Sequence, residues 1–307
     1  MVQLQKPKYA YYQGAVRPWE GAMLHVGCQG VYLGLNVFEG LKAYWQPDGS
    51  MGVVALRRHY ERLKRSARLL HFPFEMGFGQ FENAVHEIIE SLCVPEQDIW
   101  VRATLYIVEG FWGEDQKTDL FLTAFLSQKA APQPIRVGVS TWRRASDVVL
   151  PARIKTSTNY QVARLAKIEG RPRGYSEMIL LNASDRVAEG AGTCLLMVRD
   201  GAVSTPPASE GALESITVDI VEALAKDLSL PFERRPIDRS ELYIADELAL
   251  VGSLAEVTLV LGVDGNECSY RTQILQTLSE RYRDAVKGIK PHRDADLSVR
   301  KYSKNVA

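Results

Sequence analysis

Three short segments of this 307-residue chain combine residue types that could do chemistry. Lys155 lies in Ile154-Lys155-Thr156-Ser157-Thr158-Asn159-Tyr160, a lysine among small hydroxyl side chains that belongs to no charge run. A catalytic amine and a solvated surface lysine are both open readings of it. In Val187-Ala188-Glu189-Gly190-Ala191-Gly192-Thr193, two glycines beside one acid would let a ligand approach the backbone closely. An ordinary tight turn is the plainer reading. Ser215-Ile216-Thr217 opens a helical pattern, where free N–H groups and the helix dipole make an anion site or simply a capped helix start. The turn at Gly252-Ser253 has the same character.

The elements that must position these residues follow from periodicity. Leu56, Tyr60, Leu63, Ala67 and Leu70 recur at helical spacing, as do Phe81, Val85, Ile88 and Leu92. Alternation over 99–108 predicts a strand with Trp100, Arg102, Thr104 and Tyr106 on one face. Further strands are expected at 119–126, 135–141, 177–182, 248–251 and 257–263. A hairpin is expected at 194–205 around Asp200-Gly201. Helices are expected at 160–169, at 216–228 with Ser215 as N-cap, and at 272–287. Asp238 and Glu241 suggest a capping box on a short helix near 240–245. Ser127-Gln-Lys-Ala-Ala-Pro-Gln-Pro134 is polar and holds two prolines, so the expected domains are 1–127 and 136–307, with a linker at 128–135. Alternating helices and strands in both halves give an α/β or α+β class.

Composition removes several function classes. Thirty-seven basic against 37 acidic residues lack the electrostatic footprint of a non-specific nucleic-acid binder. No uncharged apolar run reaches the length of a membrane span, and the first twelve residues do not read as a secretory signal. Cys28, Cys93, Cys194 and Cys268 lie far apart, which argues against a disulfide scaffold or zinc cluster. The five histidines, His25, His59, His71, His86 and His292, form no metal-spaced cluster. The expectation is a reduced cytoplasmic protein without a metal, a membrane or a nucleic acid as partner.

Lys155-x4-Tyr160, Glu189-Gly-Ala-Gly192, Thr205-Pro-Pro207, Leu213-x-x-Ile-Thr217 and Gly252-Ser-Leu-Ala-Glu256 resemble, in order and spacing, the class IV pyridoxal-phosphate aminotransferases. Val37-Phe-Glu-Gly-Leu-Lys-Ala-Tyr44 and His59-Tyr-Glu-Arg-Leu63 are similar to that family too, and Trp142-Arg-Arg144 through Pro151 resembles its branched-chain amino-acid branch. The resemblance spans roughly residues 20 to 265. It implies fold type IV: a smaller N-terminal α/β domain and a larger C-terminal pseudo-barrel α/β domain. It implies that Lys155 carries pyridoxal 5′-phosphate and shuttles a proton, that Glu189 faces the pyridine nitrogen, and that Tyr160 bonds the phenolic oxygen. Arg62, the Ile216 and Thr217 N–H groups and Ser253 would hold the phosphate. Arg102 and the 252–255 turn would face the substrate carboxylate, with Phe38, Trp100, Leu33 and Leu254 also on the substrate side. His59 is expected to support rather than catalyse. The implied partners are an amino acid and a 2-oxo acid, with a homodimer in which Leu33 borders the partner's pocket.

The match departs from the family chiefly on the substrate side. Cys194, Leu195 and Leu196 stand where the family usually has an asparagine followed by an aromatic residue; Ser215 and Val218 flank Ile-Thr. Branched-chain enzymes commonly carry tyrosine at Leu33 and Trp100 and arginine at Lys42, and an aromatic pair is absent from 126–129. The implied reaction is ping-pong transamination from a branched-chain or other hydrophobic L-amino acid to 2-oxoglutarate. A D-amino-acid or (R)-amine transaminase, or a lyase of the aminodeoxychorismate type, remains an alternative on the same scaffold.

Overall fold

The period-two pattern at 99–108 becomes the central strand of a seven-stranded antiparallel sheet. In this computed structural model, which describes residues 6–127, 130–270 and 272–302, the chain forms two units. The first takes the described parts of 1–130, 154–157 and 285–307; the second takes 131–153 and the described parts of 158–284. Gln128 and Lys129 of the expected linker lie outside the described residues, as do residues 1–5.

In the first unit, strands β1 (Tyr9–Tyr12), β2 (Ala15–Pro18), β3 (Asn36–Trp45), β4 (Met51–Val54), β5 (Asp98–Phe111) and β6 (Glu114–Ser127) join a C-terminal strand, Leu297–Arg300. The order is C-terminal strand, β4, β3, β5, β6, β1, β2. Helices α1 (Gln29–Tyr32), α2 (Leu56–Leu69) and α3 (Phe78–Leu92) accompany it. The α2 stripe Leu56, Tyr60, Leu63 and Ala67 and the α3 stripe Phe81, Val85 and Ile88 share one core with Val37, Leu41 and Ala43 of β3 and Val101, Ala103, Leu105 and Ile107 of β5. Each large aliphatic side chain buried there contributes about 1.5–3 kcal/mol. The register pairs Phe38 with Thr104, Gly40 with Arg102 and Lys42 with Trp100, so these residues share the opposite face.

The sequence boundaries put 285–307 with the second domain, but these residues group with the first unit. Leu297–Arg300 pairs antiparallel with β4, and His86 of α3 bonds both the Tyr302 hydroxyl, at 2.6 Å, and Ser298 Oγ, at 3.0 Å.

The second unit contains β7 (Ile135–Arg143), β8 (Glu177–Leu181), β9 (Val187–Gly190), β10 (Cys194–Arg199), β11 (Ala202–Thr205), β12 (Phe232–Arg234), β13 (Glu247–Gly252), β14 (Glu256–Val263) and β15 (Asn266–Glu267). Its helices are α4 (Tyr160–Gly170), α5 (Ile216–Asp227) and α6 (Ile274–Val286), the last ending at the boundary of the unit. The sheet runs β12-β11-β10-β13-β14-β7-β8-β9, with β15 on β14 and parallel pairs at β11–β12, β14–β7 and β7–β8. Strand β8 is buried on both faces: Ile179 and Leu181 enter one cluster, and Met178 and Leu180 pack with Ala163 and Ala166 of α4. Asp200 and Gly201 both have positive φ, as a two-residue hairpin requires. Ser215 Oγ caps α5 by accepting from Val218 N at 3.3 Å.

One segment differs from its simplest sequence reading. Val187–Gly190 is an edge strand, not a turn, with Glu189 opposite Leu180 of β8. A Cβ at Gly190 would run into Thr193 Oγ1, so any larger residue there would need Thr193 to shift. Among the described residues, no helix is long and apolar enough to cross a membrane.

Candidate functional site

Lys155 belongs to a four-residue strap, 154–157, that groups with the first unit although its chain neighbours do not. Ile154 is buried in the first unit's core. The Lys155 backbone is held from both sides: its N–H donates to Ser66 Oγ of α2 at 3.1 Å, and its carbonyl accepts from Phe38 N of β3 at 2.8 Å. The side chain lies over Phe38, with Nζ 5.0 Å from the ring centroid. Arg102 approaches the same ring, its Cζ 3.7 Å from the centroid, and its Nη2 donates to Ser157 Oγ at 3.0 Å. Trp100 stacks beside Phe125 and stands over Gly40, where a Cβ would meet its Nε1 at 3.2 Å. Phe38, Trp100, Arg102 and Lys155 are therefore brought together within one unit. Leu33 ends α1 at the surface, 41% exposed.

Behind β3, on the core face, Glu39 is fully buried between Val37 and Leu41. Its Oε1 accepts from Arg62 Nε and its Oε2 from Arg62 Nη2, each at 2.7 Å; Oε2 also meets His59 Nδ1 at 2.7 Å. His59, Arg62 and Ser66 fall on one face of α2 by their three- and four-residue spacing. Burial pulls the Glu39 carboxyl up, but the Arg62 guanidinium and then His59 outweigh it and hold the group well below the carboxylate range. Burial pushes the His59 imidazole down against the pull of Glu39.

In the second unit, Glu189 is 8% exposed. Its Oε1 lies 3.2 Å from Arg144 Nε, and its Oε2 accepts from Leu213 N at 2.9 Å, with Cys194 Sγ at 3.9 Å. Arg144 is itself buried and also donates to the carbonyls of Gly211 and Asn159. One carboxylate oxygen thus accepts a backbone hydrogen bond and the other faces a buried guanidinium. Leu213 leads into α5, where Ile216 and Thr217 occupy the first two helical positions, whose N–H groups have no partner within the helix. Ser253 and Leu254 lie in the β13–β14 turn. A Cβ on the adjoining Gly252 would stand 3.9 Å from Gly192 O and 4.0 Å from Thr193 Cγ2, so this turn neighbours the one after Glu189. Tyr160 is the first residue of α4 and packs, partly buried, against the cluster that contains Ala166, Met178 and Leu180.

Sequence reasoning named Lys155, Glu189 and Arg62 but not the groups that hold them, which are Ser66, Arg144 and Glu39 respectively. Arg144 sat within a quoted motif, yet nothing local showed that its partner is an acid 45 positions on. For Glu39 the available signal was a carboxylate in register with Val37 and Leu41, which demands a counter-ion.

Comparison with known proteins adds the lineage. Residues 36–263 match the model of the family described as amino-transferase class IV. The branched-chain-amino-acid aminotransferase of Escherichia coli is 32% identical over 270 residues, 85% of this chain and 86% of that protein. Among solved structures, the branched-chain aminotransferase of Thermoproteus uzoniensis with norvaline superposes with a TM-score of 0.90 at 32% identity, covering 96% of this chain and 99% of that one. The branched-chain amino acid aminotransferase of Thermobaculum terrenum in its PLP form gives 0.89 at 31%, covering 95% and 98%. With the family model spanning most of the sequence, and relatives near one-third identity along nearly all of it, the chain belongs to the class IV amino-transferases.

Proposed function

We propose that this protein transfers the amino group of a branched-chain or other hydrophobic L-amino acid to 2-oxoglutarate by a ping-pong cycle with pyridoxal 5′-phosphate. The observation that carries the reading is the similarity to branched-chain enzymes along almost the whole chain. The donor set fits the cofactor. A pyridine nitrogen needs a positioned acid, and Glu189 has one oxygen hydrogen-bonded to Leu213 N and the other beside the Arg144 guanidinium. A phosphate needs convergent donors, and the first turn of α5 presents two N–H groups beside the Thr217 hydroxyl. Thr193 Oγ1, beside the Glu189 strand, is buried without a hydrogen-bond partner, a polar atom that a bound polar group would satisfy.

When bound, the cofactor supplies the electron sink for the bond made labile at the substrate Cα. The chain's residues do the rest. Lys155 Nζ would hold the cofactor and, once freed from it, would move the proton at the substrate Cα. Glu189 keeps a proton on the ring nitrogen, and Tyr160 bonds the phenolic oxygen. On the family's pattern, Arg62, Ile216 N, Thr217 N and Ser253 would take the phosphate. Arg102, its Cζ 3.7 Å from the Phe38 ring centroid, would receive the substrate carboxylate, while Trp100, Leu33, Ser253 and Leu254 would bound the substrate. The reading carries with it a cytoplasmic homodimer. Val31, Tyr32 and Leu33 support the dimer, being consecutive apolar residues 52%, 75% and 41% exposed.

The test is a half-reaction. The cofactor-loaded protein mixed with L-leucine is expected to lose its visible absorbance to the near ultraviolet and release the matching 2-oxo acid, and Lys155→Ala is expected to abolish both. Conversion with D-leucine or an (R)-amine alone, pyruvate release from an amino-chorismate, or undiminished conversion in the Lys155→Ala protein overturns the proposal.

A further inference from the structure

We propose that Glu39 is a positioning residue for phosphate recognition: its buried carboxylate clamps one edge of the Arg62 guanidinium and thereby fixes the direction in which the other edge points. This rests on the reading that Arg62 takes the cofactor phosphate. The clamp is made of groups 0%, 1% and 5% exposed for Glu39, His59 and Arg62. Glu39 binds side-on, through Nε and Nη2, both at 2.7 Å. The guanidinium is planar, so two bonds along one edge remove its rotation and turn Nη1 away from Glu39. His59 Nδ1, at 2.7 Å from Oε2, fixes the carboxylate in turn.

A buried ion pair is weak evidence for stability, since well-packed apolar residues do as well in the same volume. What the triad provides over such packing is a single orientation of the arginine. The same α2 face carries Ser66, which holds the Lys155 N–H, so one helix sets both the strap and the guanidinium.

The experiment compares two ligands on the cofactor-free full chain: pyridoxal 5′-phosphate and pyridoxal, which lacks only the phosphate. In Glu39→Gln the affinity for pyridoxal 5′-phosphate is expected to fall about tenfold or more, the size of a lost charge-assisted bond, while that for pyridoxal stays within about twofold. Glu39→Asp, which keeps the charge and withdraws it by one methylene, is expected to show the same phosphate-dependent loss in smaller measure, and it carries the comparison if the amide variant does not fold. In an Arg62→Lys background, Glu39→Gln is expected to add nothing to the loss of phosphate selectivity. Equal weakening of both ligands makes Glu39 merely structural and overturns the proposal, as does an unchanged affinity for both. If Arg62→Lys alone leaves the difference between the two ligands intact, the phosphate assignment itself fails, an outcome separate from the failure of the clamp.

Discussion

Replacing Arg144 by glutamine strikes the support of Glu189 without touching the acid. The two charges stand 3.2 Å apart, with their side chains 6% and 11% exposed. At an effective dielectric near 20, unit charges at that distance attract by about 5 kcal/mol. The desolvation of both ions offsets much of this, but deleting one partner leaves the other buried and uncompensated, which costs about 3–5 kcal/mol. Arg144 also satisfies the carbonyls of Gly211 and Asn159, so the variant falls in that range and not below it. A double-mutant cycle separates the charge term from the carbonyl term. Glu189→Gln in the Arg144→Gln background removes the stranded charge, so the double variant is expected to be more stable than the sum of the singles by about 1–3 kcal/mol. The assay is hydrogen exchange of the β8, β9 and β10 amides across a urea series, which reads the second unit rather than the whole chain. Additivity within about 0.5 kcal/mol would refute the coupling, and with it the claim that Arg144 fixes the Glu189 carboxylate.

Two further outcomes follow from contacts in the first unit. His86 is held down at about 4 by burial first and then by Arg300, so the folded protein keeps the ring neutral between Tyr302 and Ser298. An unfolded histidine titrates near about 6.5, so the unfolded state takes up the proton first as pH falls. The His86 contribution is fully present above about 6.5 and disappears as pH drops toward 4, and His86→Gln is expected to flatten the fall of Tm across that window. An unchanged slope would place the acid sensitivity elsewhere. Ser66→Ala leaves the Lys155 N–H without its acceptor, a local cost of about 1–3 kcal/mol. Exchange of the 154–157 amides is expected to accelerate at least about tenfold while that of β8 stays constant; equal acceleration in both would mean that Ser66 serves global packing.

The helices α2, α3 and α5, the strand β5 and the Asp200-Gly201 hairpin were legible because each declares itself within its own residues: an apolar stripe, an alternation, a cap, a pair of positive-φ positions. Strand β3 was not, and the reason is the buried charge. A core-facing carboxylate at 39 beside an outward Phe38 inverts the polarity rule over the residues where alternation would be read. The inversion is stable only because Arg62 and His59, more than a turn of sequence away in any local window, arrive from α2. The same holds for β9, whose Glu-Gly sequence reads as a turn until β8 supplies its ladder. The site repeats this division. The residues whose own chemistry is unusual, Lys155 and Glu189, stand out in the sequence. Their holders lie 89 and 45 positions away and have ordinary contexts, so the sequence shows no link between them. That asymmetry has a physical source. A reactive group needs a side chain of one type, but fixing it needs only a bond of the right geometry, which many residue types and many chain positions can furnish. A substitution of Ser66 that preserves Lys155 and Glu189 would therefore leave every motif of the resemblance intact and still loosen a group the chemistry depends on.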